Sequence, residues 1–224
     1  MLLNLPRPEV FRFPGANRQL EELYQHKNCL NYHKGKEIPL FQQDILLVQQ
    51  GIVRISTYDD EGDSILLALA SSSMPFGLPL TSVDPYIATA LTNVSLLRFT
   101  AAEIDQYFDL NRLILRGLDQ RLQQSEEIQS ILGSRHIQER LYRFLLLLSK
   151  EIGEPVADGM RLTARLTHQQ LASTVGTTRV TVTRLLGKLQ NSGKIKFDNN
   201  RHMVVAAPQR KVLHPVKSPV AMVN

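Results

Sequence analysis

The sequence predicts an α+β chain: a sandwich or barrel of short strands, then a long helix, then a basic winged helix-turn-helix. Three observations carry this. Between residues 31 and 99, short apolar or alternating segments are punctuated by glycine, proline and turn residues. At Thr100 the hydrophobic period switches to a helical one. The charge is also divided: residues 1–133 carry 11 Lys+Arg against 16 Asp+Glu, whereas 134–224 carry 15 against 5, a net +10. A basic unit joined to an acidic one points to a polyanion-binding module. With 224 residues, 43% apolar and 21% charged, the chain can bury a sizeable core, which excludes disordered, collagenous and rod-like classes.

The segments follow in order. Residues 1–30 read as partly helical, with Leu20, Leu23 and Tyr24 on a weak helical spacing. Strands are expected from Asp44 to Gln49, Ile52 to Tyr58, Ser64 to Ala70, Tyr86 to Ala90 and Ser95 to Phe99, with a turn at Asp59-Asp60-Glu61-Gly62-Asp63. Thr100-Ala-Ala-Glu103 is a capping box, and a helical pattern runs from it to Leu132, broken once near Asp109. Along that helix Ile114, Leu118, Arg121, Ser125, Ile128 and Leu132 form a heptad seam. It could pack on its own domain, but a long seam beside a barrel fits a dimer coiled coil better. Gly133-Ser134 reads as a hinge, and a second helix follows with Ile137, Leu141, Phe144, Leu145 and Leu148 on one face, ending near Gly153 and Pro155. Met160 to Leu166 alternates as a strand would, and the proline-bearing end from Pro208 predicts a mobile tail. The expected division is therefore 1–99, a β-barrel sensor-like domain; 100–133, a dimerisation helix; 134–207, a DNA-binding domain; and 208–224, the tail.

Within the basic unit, Thr167-His168-Gln169-Gln170 is a second capping box, and Leu171, Ala172 and Val175 give its helix an inner stripe before Gly176. Thr177-Thr178 caps a further helix, whose buried face is Val182, Leu185, Leu186 and Leu189. Small Ala172 lets the helices cross closely, and Gly176 supplies the turn. The outer face carries Arg179, Val180, Thr183, Arg184 and Lys188. Arginine there could grip guanine bidentately, while the valine and threonine methyls could meet thymine methyls. Ile195-Lys196-Phe197, a turn at Asp198-Asn199-Asn200, and His202 to Val205 complete a hairpin wing.

The stretch Gly176-Thr-Thr-Arg-Val-Thr-Val-Thr-Arg-Leu-Leu-Gly-Lys-Leu189 resembles the recognition helix of the CRP–FNR superfamily, above all its cyanobacterial nitrogen-regulator branch. Similarity runs back through Arg140 to Glu151 and more weakly over the barrel, about residues 30–206. The resemblance implies a homodimeric transcription regulator with an N-terminal double-stranded β-helix (jelly-roll) barrel. Double-stranded DNA would be its partner, and RNA polymerase a further one. It makes Arg179, Val180 and Arg184 base readers and sets Thr167, His168, Thr177 and Thr178 on phosphates. It also implies palindromic sites of the GTA…TAC type, with half-sites one helical turn apart.

The sensor half departs from that pattern. Where cyclic-nucleotide binders carry a phosphate cassette, this chain has Pro75-Phe76-Gly77-Leu78-Pro79 and then only six residues before Tyr86. No arginine stands between Arg54 and Arg98, so a bound anion would lack its clamp. The family's carboxylate site uses a barrel arginine, absent here, with an arginine and a glutamate of the long helix, matched by Arg121 and Glu126. Two readings of Arg121 stay open: a seam residue paired with Glu126 or Glu127 of a partner helix, or a remnant anion site with Phe76, Gly77 and Leu78 beside it. A small-molecule-responsive regulator and a barrel that docks a partner protein are the rival functions. The six histidines are too scattered for metal spacing, and no cofactor is expected. Cys29, the single cysteine, excludes a disulfide framework and is expected to be a buried apolar residue. No nucleophile or acid–base constellation appears, so an enzyme is not expected. The longest strictly apolar run, Ile65 to Ala70, is far short of a membrane span, and the N-terminal residues lack a secretory pattern. No membrane partner and a cytoplasmic protein are therefore expected.

Overall fold

A computed structural model describes Lys27 and residues 29–206, so the readings near Leu20 and beyond Pro208 lie outside the described residues. Eight strands open the fold: β1 (Leu30–Tyr32), β2 (Glu37–Ile38), β3 (Asp44–Gln50), β4 (Val53–Tyr58), β5 (Ser64–Ala70), β6 (Pro75–Phe76), β7 (Ile87–Ala90) and β8 (Val94–Thr100). They pair antiparallel into two four-stranded sheets, β1-β8-β3-β6 and β2-β7-β4-β5, packed as a jelly-roll sandwich. The two- and three-residue strands are too short to show a period, which is why sequence reading passed over them.

The continuous apolar run in β3 has a physical reason. Leu46 and Val48 face the sandwich interior with Ile55, Phe76 and Leu96, while Ile45 and Leu47 face outward onto helices. In β5 a bulge does similar work. Register slips between Ile55 and Ser56, leaving Leu67 unpaired. That extra residue puts Leu66 and Leu69 together on the outer face while Ala68 and Ala70 stay inside.

The capping box at Thr100 forms as expected, with Thr100 accepting from the Glu103 amide at 3.3 Å and Glu103 accepting from the Thr100 amide at 2.8 Å. It starts α1 (Ala101–Gln106); the break falls at extended Tyr107, and α2 runs Phe108–Leu132. Here one expectation is corrected. Ile114 and Ile128, assigned to the dimer seam, are each 5% exposed and pack on their own chain. The face of α2 that the described residues leave uncovered is Phe108, Leu115 and Leu122, at 75%, 55% and 60% exposure. Leu118, Ser125 and Leu132 interleave with these on the same heptad spacing. Two apolar heptad faces lie side by side on this helix, and the sequence reading merged them. Buried Gly117 explains the inner one: a Cβ there would collide with Pro75 and the Ser73 carbonyl, so glycine lets α2 lie against the sandwich.

Beyond Gly133 come α3 (Ile137–Ile152), β9 (Gly153–Val156) and β10 (Gly159–Leu162). The alternation expected to reach Leu166 stops at Leu162, and β9, unforeseen, pairs with β10 as a hairpin. Then follow α4 (His168–Val175), α5 (Arg179–Asn191), β11 (Ile195–Phe197) and β12 (Met203–Val205), the four strands ordered β11-β12-β10-β9. Leu141, Leu145, Leu148, Leu171, Val182, Leu186 and Leu189 form this unit's core. That core does not stop at the sandwich: Ile52, Leu66, Leu69 and Leu91 join it. Cys29, expected to be buried, is exposed at the start of β1, its thiol 3.2 Å from Gln49 Oε1. The strand it leads into, β1, lies at the edge of its sheet.

Candidate nucleic-acid interface

The interface is built from two capped helices held by a left-handed glycine. Thr167 accepts from the Gln170 amide at 3.1 Å, and Gln170 Oε1 accepts from the Thr167 amide at 2.8 Å. At α5, Thr178 accepts from the Thr181 amide at 3.2 Å, a cap contributing about 1 kcal/mol. Gly176 ends α4 at φ 63°, a conformation cheap for glycine. Arg140 locks that turn from behind, donating to the Gly176 carbonyl at 3.2 Å and to the Ser134 carbonyl at 3.3 Å.

This frame points the outer face of α5 at solvent. Val182, Leu185, Leu186 and Leu189 are at most 4% exposed, whereas Val180 is 78% exposed. Arg179, Arg184 and Lys188 are exposed beside it. Three other cations of the unit are paired: Arg161 bonds Asp198 at 2.7 Å, Lys196 pairs with Asp158, and Lys150 reaches Glu127 of α2 at 3.2 Å. Arg179, Arg184 and Lys188 make no ion pair among the described residues. They form an uncompensated cationic stripe around an exposed apolar side chain, the composition that phosphates and base edges require.

Thr183 is placed differently from a free reader. Its hydroxyl donates to the Arg179 carbonyl at 3.0 Å and lies 2.8 Å from His168 Nδ1, so its polar end is engaged within the two helices. Thr167, His168, Gln169 and Arg179 line an open cleft of about 570 Å³ where the two helix starts converge. Half-buried Thr177 and exposed Thr178 stand at the same end of α5. Backbone amides with no helical partner crowd there, a favourable setting for anions. The wing is held by Asp198, which accepts from the amides of Asn200 at 2.9 Å and His202 at 2.7 Å. Desolvation pushes its carboxyl up, but these amides and Arg161 outweigh that and hold it below the usual range.

In the sandwich, Arg121 and Glu126 are not brought together. Arg121 turns to its own sandwich, donating to the Pro75 carbonyl at 3.1 Å and the Tyr86 hydroxyl at 3.3 Å, while Glu126 is exposed. Tyr86 is 7% exposed; burial pushes its phenol up, against the opposing pull of Arg121 and the Gly77 backbone, so it stays neutral. Phe76 is fully buried and Gly77 sits at φ 147°, where a Cβ would strike the Asp44 carbonyl. Leu78 opens a 3-10 turn of only three residues with no side-chain cap. A turn this short offers few free amides to an anion.

Comparison with known proteins decides the family. Residues 139–210 match the Crp-like helix-turn-helix domain. A global nitrogen regulator of Synechocystis is 35% identical over 178 residues, covering 74% of this chain and 79% of that protein. The chain belongs to the CRP/FNR family. The regulatory protein CysR of Synechococcus elongatus is 33% identical, with 77% of this chain and 81% of that protein aligned. A CRP/FNR transcriptional regulator from Thermus thermophilus shares the fold, with TM-score 0.65, 24% identity, and 80% of this chain and 94% of that one covered. As a CRP/FNR member of the nitrogen-regulator branch, the protein is a DNA-binding transcription regulator. The family is one of regulators and not of enzymes.

Two contacts of this chain lie beyond the reach of its sequence. Arg140 was noted only as part of a resemblance, and its grip on Gly176 joins residues 36 apart. Tyr86 sits 35 positions from Arg121, and no local pattern announces such a pair. Among the described residues no helix is long and apolar enough to cross a membrane, and no group of three or more His, Cys, Asp or Glu could hold a metal.

Proposed function

We propose that the protein acts in the cytoplasm as a homodimer on palindromic promoter sites, without control by a cyclic nucleotide. The observation that carries this reading is the α5 face: exposed Val180 flanked by Arg179, Arg184 and Lys188, none in an ion pair among the described residues. Arg179, Val180 and Arg184 read bases, with the Thr183 methyl beside them. Lys188, Thr167, His168, Thr177 and Thr178 hold phosphates. The uncovered Phe108–Leu115–Leu122 face of α2 supplies the two-fold seam, so the segment 100–133 is the dimerisation helix between sandwich and DNA-binding domain. RNA polymerase is the protein partner at the promoter. Selecting bound sequences from a random DNA pool tests this directly. Recovery of a palindrome with half-sites about one helical turn apart is expected; sequences with no two-fold symmetry would refute it.

Effector independence rests on Arg121. Its guanidinium already donates to Pro75 and Tyr86, and the sandwich offers no lysine or arginine between Arg54 and Arg98 to hold a second anion. A buried anion without charge-assisted donors costs several kcal/mol. Cyclic AMP, cyclic GMP and 2-oxoglutarate should therefore bind with Kd no better than about millimolar, and the unliganded dimer should already bind DNA. Calorimetric titration of the apo-protein checks this. Micromolar binding of any of the three, with a matching gain in DNA affinity, would reverse it.

A further inference from the structure

Residues 133–136 form an elbow between α2 and α3. On the sandwich side of this elbow the long helix is fixed. Gln124 Oε1 accepts from the Leu69 amide at 2.8 Å and its Nε2 donates to the Leu69 carbonyl at 3.1 Å, completing the edge of β5. Across the elbow, Ile128 and Ile131 of α2 share an apolar cluster with Leu141 and Leu145 of α3, and such contacts carry no preferred direction. Two arginines of α3 supply one. Arg143 reaches back to the last turn of α2, donating to the Ser130 carbonyl at 3.4 Å and to the Ser130 hydroxyl at 3.1 Å. That carbonyl belongs to the helix end, where no amide of the same helix is left to bond it. The ion pair of Lys150 with Glu127 joins the same two helices, but it is exposed and weak in salt. Arg140, one turn before Arg143, spans two elements. Its terminal nitrogens donate to the Ser134 carbonyl in the elbow at 3.3 Å and to the Gly176 carbonyl in the turn between α4 and α5 at 3.2 Å. A planar guanidinium holds two acceptors in a fixed relation, which the single ammonium of lysine does not.

We propose that Arg140 and Arg143 are positioning residues for DNA recognition, and that together they set the half-site separation the dimer accepts. Arg143 fixes the angle at which α3 leaves α2. Arg140 passes that angle on, because the carbonyl it holds at Gly176 lies directly before Thr177 and Thr178, and Thr178 caps α5. Arg179 and Val180 open that helix, so the point where reading begins is tied by hydrogen bonds to the end of α2. Helix α3 also packs against both α4 and α5, which makes the DNA-binding unit follow α3 as one body.

This role rests on the reading of the protein as a dimer that bridges two half-sites, and the test separates the two. Full-length wild type, Arg143→Met, Arg140→Met and Arg140→Lys are titrated against palindromes with identical half-sites and spacers varied by one or two base pairs. Each added base pair shifts the half-site by about 3.4 Å and rotates it by about 35°. Wild type should show one sharp optimum. Both methionine variants should lose about tenfold at that optimum and much less at the other spacers, so the profile flattens while base preference within each half-site is unchanged. Arg140→Lys keeps the charge without the fork and should flatten as Arg140→Met does. Ser130 and Gly176 are exposed and Ser134 is half-buried, so water meets the freed carbonyls and the variants should fold. If thermal melting shows Arg140→Met unfolded, Arg143→Met, which leaves the Gly176 turn untouched, decides alone. An unchanged profile in a folded methionine variant, or a parallel loss at every spacer, would overturn the positioning role. A wild-type profile in Arg140→Lys would overturn it too, since charge alone would then suffice. Wild type binding no palindrome at all would instead overturn the bridging reading, and the positioning role with it.

Discussion

Replacing Leu115 and Leu122 together with aspartate is expected to give monomers in light scattering and at least about a hundredfold weaker binding to a full palindrome. In a dimer the second half-site is met at the high effective concentration set by the first, and separating the protomers removes that advantage without touching a reading residue. Both leucines are more than half exposed in the isolated chain, so aspartate there should leave the protomer folded. Ile128→Asp serves as the contrast: it would bury a charge in the protomer's own core and should unfold it. A Leu115→Asp, Leu122→Asp protein that stays dimeric and binds normally would remove this face from the assembly.

The second large effect is expected on α5. Arg179→Ala and Arg184→Ala should each cost about 1–3 kcal/mol of specific binding and relax preference at one base pair per half-site. Lys188→Ala should weaken all sequences alike and reduce the salt dependence by about one phosphate contact. Fluorescence anisotropy against matched and single-mismatch sites, at two or more salt concentrations, separates these patterns. Equal, sequence-independent losses from all three would mean the helix binds DNA without reading it.

Legibility of the fold followed the range of the interactions. The capping boxes at Thr100 and Thr167 and the left-handed Gly176 were readable because each is complete within a few residues. The α5 face was readable because helical spacing alone separates Val182 and Leu186 from Val180 and Arg184. The α2 seam was misread because two apolar faces repeat with the same period, and only the sandwich decides which is covered. Nothing in the sequence could reveal that Gln124 completes a strand edge 55 residues away, or that Tyr86 answers Arg121. Those pairs are products of tertiary packing.

The bulge in β5 has a consequence for modularity. By turning Leu66 and Leu69 outward it makes the sandwich lean on the DNA-binding unit for cover, with Ile52 and Leu91 added to the same surface. Cutting the chain at Gly133 would strip the cover from four buried apolar side chains at once, and the excised sandwich would be an aggregating fragment. Grafting a foreign DNA-binding unit in its place would fail for the same reason unless the graft brought its own match for that surface.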